Sequence, residues 1–180
     1  MNVSKERLKR VVIIGNSGSG KSFLAQKLGI LLQQEIIHFD KLFWEPGSFN
    51  QRRPKDIVYR EIEKLSSADS WIMEGVFGDM AALAIPKATG LIFMNKSWEE
   101  CESALLLRGS ESSKQLDSAT AEKNFKELLS WAKAYSSRET MASFTGHQRL
   151  FSEFSGWKLQ IIRRIESDEL LNLLRLCTNN

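Results

Sequence analysis

The segment Gly15-Asn16-Ser17-Gly18-Ser19-Gly20-Lys21-Ser22 constrains this chain more than any other. It fits G-x-x-x-x-G-K-[ST] at every fixed position. The apolar run 10–14 precedes it and reads as a buried strand. Residues 21–34 follow, with Leu24, Leu28, Leu31 and Leu32 spaced as a helix face. Glycines let the backbone turn so that successive N–H groups point inward at phosphate oxygens. The helix that starts here adds its N-terminal dipole. All eight residues are therefore expected to hold nucleotide phosphates. Lys21 carries the loop's full positive charge, and the Ser22 hydroxyl is a hard oxygen ligand suited to Mg²⁺.

The strand–turn–helix pattern repeats along the chain. Further strands are expected at 35–39, 70–74, 90–94 and 158–162. Helices are expected from Pro54 to about 65 (Ile57, Val58, Ile62, Leu65), and over 98–107, 121–135 and 138–154. Ser167, with Asp168 and Glu169 after it, would cap a closing helix through 176. Residues 40–53 contain Pro46 and Gly47 and read as a loop or flap, with the wider flap over about 40–66. Residues 109–120 are serine-rich and form a second mobile candidate, a short lid over about 108–120. Alternating strands and helices of this length indicate a parallel sheet covered on both faces. The expected fold class is therefore α/β, a three-layer phosphate-loop fold with five parallel strands, built as one domain over 1–180.

Composition narrows the class. With 180 residues, 42% apolar and 26% charged, the chain is not of a disordered type. Cys101 and Cys177 lie far apart and form no CxxC pair, so a reduced, cytosolic protein is expected. No run is long enough for a membrane span, and the basic segment 5–10 reads as a solvated lead-in to the first strand. A net charge of +3, with bases interleaved among acids, argues against direct nucleic-acid binding.

Two phosphate-loop classes fall away. Asn95-Lys96-Ser97-Trp98 begins like the guanine-reading N-K-x-D but ends in Trp, where a carboxylate is needed. No Asp in the chain has Gly three residues later, so D-x-x-G is missing. A transporter-type ATPase would need an LSGGQ-like signature, which is also missing. Small phosphoryl-transfer kinases remain.

The chain resembles the adenylate-kinase-like family over nearly its whole length. The resemblance rests on the loop at 15–22, on Trp71-Ile72-Met73-Glu74-Gly75, and on Arg108 before the serine-rich segment. Where adenylate kinases continue as Asp-Gly-Phe-Pro-Arg, this chain has Glu74-Gly75-Val76-Phe77-Gly78. A closer resemblance is to a bacterial subgroup labelled DNA topology modulation proteins. It is carried by His38-Phe39-Asp40-Lys41-Leu42-Phe43-Trp44-Glu45-Pro46-Gly47 and by Arg53-Pro54. The resemblance implies a strand order of 2-3-1-4-5. It also implies Mg²⁺-dependent transfer of the γ-phosphoryl of ATP to a small acceptor. A nucleotide-binding regulatory protein and a weak, DNA-associated ATPase are the alternatives.

Asp40 stands at the carboxyl end of the second strand, the edge that faces the ligand crevice in open α/β sheets. In kinases it resembles, an acid here orients Mg²⁺ or accepts the substrate proton; the alternative is a helix cap. Glu74 would hold the metal with Ser22, or be a solvated strand-end acid. By resemblance, Arg108 and Arg138 close over the transferred group, where negative charge spreads in the transition state. Arg52 and Arg53, near Trp44 and Phe49, would bind an anionic acceptor, since a guanidinium fork suits phosphate or carboxylate; Trp44 would pack on an acceptor ring or within the flap core. His38 reads as structural. His147 lies in a polar helical stretch with no triad or metal set around it.

Overall fold

A computed structural model describes residues 6–48, 51–110 and 117–163. Among the described residues there are five strands: β1 (Arg10–Gly15), β2 (Ile36–His38), β3 (Trp71–Gly75), β4 (Gly90–Met94) and β5 (Trp157–Ile161). They form one sheet in the order β2-β3-β1-β4-β5, with every pair parallel. Among the described residues the α-helices include α1 (Lys21–Leu32), α2 (Phe39–Phe43), α3 (Lys55–Leu65), α4 (Gly78–Ala84), α5 (Trp98–Arg108), α6 (Ser118–Lys133) and α7 (Phe144–Glu153). This is the three-layer α/β class that the alternating pattern predicts, in the strand order the resemblance implies.

The central strands are buried on both faces, so they read as continuous apolar runs. Alternate residues of β1 feed two cores. Val12 and Ile14 face Phe39, Ile62, Trp71, Met80 and Phe93, beneath α3, α4 and α7. Val11 and Ile13 face Leu24, Ala25, Leu28 and Ile92, beneath α1. All five carboxyl ends lie along one edge, and the loop after β1 rises from its middle. Among the described residues no helix is long and apolar enough to cross a membrane.

Several local expectations need correction. Residues 40–53 are not simply a loop: α2 occupies the start, and an antiparallel bridge joins Trp44 to Arg52. Helix α4 was not expected; it is short and begins at Gly78, which packs directly on the Met141 carbonyl. The helix expected from 138 starts at Phe144, because the Ser143 hydroxyl caps it by accepting from Gly146 N. On this helix His147 is buried in the core. The strand expected through Phe39 ends at His38, and Phe39 opens α2 instead. Leu8, in the supposedly solvated lead-in, is fully buried. Leu31 is half exposed, since Ala25, Leu28 and Gly29 take the sheet-facing stripe of α1. Phe49, most of the expected lid (111–116), the closing helix at 167–176 and Cys177 lie outside the described residues.

Candidate functional site

The loop between β1 and α1 is shaped by three glycines in backbone regions closed to other residues. Gly15, Gly18 and Gly20 have φ of 149°, 79° and 92°. Gly18 rests on α5: a Cβ there would lie 2.3 Å from the Cys101 carbonyl oxygen. Asn16 ties the loop to α6, donating from its side-chain amide to the Ala132 carbonyl at 2.9 Å. Its side-chain oxygen accepts from Ser17 N at 2.8 Å.

Lys21 is buried, and its Nζ donates to the Asn16 carbonyl at 2.7 Å. Burial pulls the ammonium below its ordinary pKa, against the opposing pull of Glu74 and Asp40; Arg108 adds to the lowering. The four side chains that act on Lys21 (Glu74, Asp40, Cys101 and Arg108) come from β3, α2 and α5. The fold thus brings Lys21, Glu74, Asp40 and Arg108 into one electrostatic neighbourhood at the carboxyl edge.

Glu74 ends β3 and is buried. Two donors converge on its Oε1: the Ser22 hydroxyl at 2.8 Å and His38 Nδ1 at 2.6 Å. Burial alone would raise the Glu74 pKa, but His38, Lys21 and Ser22 together outweigh it and hold the carboxyl below its ordinary range. Because Ser22 gives its proton to Glu74, its oxygen keeps lone pairs for a cation. A serine oxygen beside an ionised carboxylate is the kind of donor set that Mg²⁺ takes alongside nucleotide phosphates. His38, which the sequence reads as structural, is the partner of Glu74 that the sequence does not announce. It pairs with Glu74 in the β2–β3 register, a relation visible only once the strand order is known.

The flap residues form their own cluster. Phe43 stacks on Phe77 with centroids 4.1 Å apart, and meets Trp44 edge-on at 4.7 Å. The Arg52 guanidinium lies over the Phe43 ring at 5.4 Å. Arg53 donates to the Leu42 carbonyl at 3.1 Å and to Glu61 at 2.6 Å.

Arg138 follows α6 and stacks over Trp131, 3.7 Å from the ring centroid. Its Nη2 donates to the Ala142 carbonyl at 2.8 Å, whereas Nε and Nη1 are buried with no hydrogen-bond partner. Beside it, His147 is fully buried. Its Nε2 lies 3.0 Å from the Val76 carbonyl, which can only accept, so the proton sits on Nε2. Nδ1 therefore accepts from the Tyr135 hydroxyl at 2.6 Å. Burial, with Lys21 and Arg138 nearby, drives the imidazole down to about 3. This network pins the segment that carries Arg138 to the turn after Glu74.

Comparison with protein-family models and with curated proteins gives no match. Solved structures do match over most of their length. Shikimate kinase from Bacteroides thetaiotaomicron is 12% identical, with a TM-score of 0.58 over 93% of this chain and 94% of that one. The chain has the fold of the small-molecule P-loop kinases. Shikimate kinase from Acinetobacter baumannii, in complex with shikimate, is 14% identical with a TM-score of 0.55, covering 98% and 96%. The YorR protein of Bacillus subtilis, in complex with phosphorylated GDP, is 15% identical with a TM-score of 0.53, covering 92% and 94%.

Proposed function

We propose that this chain is an ATP-dependent phosphotransferase that moves the γ-phosphoryl of Mg-ATP to a hydroxyl or phosphate of a small acceptor. The observation that carries this reading is the convergence of Lys21, Ser22, Glu74 and Asp40 at the carboxyl edge of the sheet. The loop amides of 15–22 and Lys21 hold the donor phosphates. Ser22 and Glu74 hold Mg²⁺, which when bound neutralises phosphate charge, and His38 orients Glu74. Asp40 takes the proton from the acceptor hydroxyl as its oxygen attacks the γ-phosphorus and ADP leaves. Arg108 and Arg138 stabilise the negative charge on the transferred group. Trp44 and Arg52, braced by Arg53, line the acceptor side. The ligands bound in two of the similar structures, shikimate and phosphorylated GDP, support an acceptor that is small and anionic. The resemblance of 38–47 and 53–54 supports membership of the subgroup labelled DNA topology modulation proteins, as a single cytosolic domain.

The test is a panel of small hydroxy acids and nucleoside monophosphates incubated with radiolabelled ATP. Transfer to one class of compound, abolished by Lys21→Ala in a protein that still folds, is the expected result. ATP binding by calorimetry without transfer to any compound would make the chain a nucleotide-binding regulatory protein instead.

A further inference from the structure

Lys96 lies two residues beyond β4, on the opposite flank of the loop from Glu74 and Asp40. It is half-buried. Its Nζ stands 3.9 Å from the point that a Cβ on Gly20 would occupy, beside the Met94 methyl at 3.8 Å. The ammonium therefore overhangs the second invariant glycine of the motif, at the first turn of α1. Among the described residues it has no hydrogen bond or ion pair. Its charge reaches the floor of the loop, where Lys21 and Lys96 both oppose the burial that pushes the Cys101 thiol up to about 11.

A half-buried ammonium that makes no ion pair or hydrogen bond is unfavourable, so its position suits an anion. The flank of the loop toward β3 and β2 carries the acids Glu74 and Asp40, with Ser22. That flank suits the metal and the phosphoryl group being transferred. The rest of a polyphosphate must leave toward the other flank, over Gly20, where Lys96 is the charge that awaits it. The pair Asn95-Lys96, which begins like a base-reading motif, is thus placed to meet phosphate instead.

We infer that Lys96 is a second cation of the polyphosphate site, gripping the phosphates nearer the nucleoside and favouring nucleoside di- and triphosphates over monophosphates. This rests on the phosphate-loop reading of residues 15–22. Lys96→Met keeps the apolar stem and removes the charge, so Met94 and Cys101 stay packed. Calorimetry on the full chain is expected to show ADP binding about tenfold weaker in Lys96→Met. The dependence of that affinity on salt should flatten, and Lys96→Arg should restore most of both. A purely structural role would move the melting temperature but not the salt dependence. ADP affinity and salt dependence unchanged in Lys96→Met, with the wild type binding ADP, would overturn the inference. If the wild type binds neither ADP nor ATP, the phosphate-loop reading itself falls and this inference falls with it. Lys96→Gln serves as a second neutral variant should Lys96→Met fold poorly.

Discussion

Arg53 and Arg138 occupy two regions that use the same side chain in opposite ways. In the flap, Arg53 is satisfied from within: it bonds the Leu42 carbonyl and Glu61, and so fastens the stretch after α2 to α3. In the segment after α6, Arg138 is held rigid by Trp131 and Ala142, yet two of its nitrogens are buried without partners. A buried donor left unpaired costs about 1–3 kcal/mol. Under the proposed function, a guanidinium stacked in place with two donors left unpaired is one that an incoming anion would satisfy. Arg53, with bonds to the Leu42 carbonyl and Glu61, already has partners within the chain, close to Arg52 and Trp44.

The sharpest way to break this contrast is Arg138→Met. Phosphoryl transfer should fall by about 100-fold or more, as for loss of a transition-state donor, while ADP affinity by calorimetry stays near wild type. A transfer rate within a few-fold of wild type would put Arg138 in the same class as Arg53.

The next effect concerns the pin behind Arg138. Burial holds His147 at about 3 in the folded chain, against an ordinary value of 6.5. Below pH 6.5 the unfolded chain takes up a proton that the folded chain refuses. His147 therefore leaves stability intact above pH 6.5 and erodes it as the pH falls toward 3, by up to about 1.4 kcal/mol per pH unit. In His147→Gln, denaturation free energies measured between pH 6.5 and 4 should fall less steeply by that one-proton share. Equal slopes would mean that another group takes up the proton.

Arg53→Met should act mainly on stability. Glu61 is more than a third exposed, so solvent screens the ion pair, and the bond to the Leu42 carbonyl is the larger loss. A cost of about 1–2 kcal/mol in chemical denaturation is expected, with ADP affinity unchanged. A large loss of ADP affinity would move Arg53 into the nucleotide site. The smallest effect is Arg52→Ala. Its stacking on Phe43 is exposed, and about 0.5 kcal/mol of stability should be lost. A rise in acceptor KM far beyond that would make Arg52 a direct ligand.

This contrast marks where the sequence stops being legible. The loop at 15–22 is readable because its glycines, lysine and serine are contiguous, and the strand and helix beside it are local too. Strands β1, β3 and β4 are readable because burial on both faces leaves uninterrupted apolar runs. His38 and Lys96 are not, because each acquires its neighbour from the sheet register, across residues distant in the chain. The two arginines look interchangeable for the same reason: nothing near Arg53 announces Glu61 as its partner, and nothing near Arg138 announces that its donors stay open. Helix α4 escaped notice because it spans seven residues, three of them alanine, and its start depends on Gly78 meeting a carbonyl from far along the chain.

The parallel sheet also sets the order of events at the ribosome. The loop after β1 is among the first parts of the chain to emerge, yet its supports come late. Gly15 pairs with Met94, and Gly18 seats on the carbonyl of Cys101. At roughly 5–20 residues per second, synthesis needs on the order of ten seconds to deliver those partners. Until then the glycine-rich segment has a motif but no mould. A nascent chain arrested before β4 should therefore fail to retain nucleotide, although every residue of the motif has already been made.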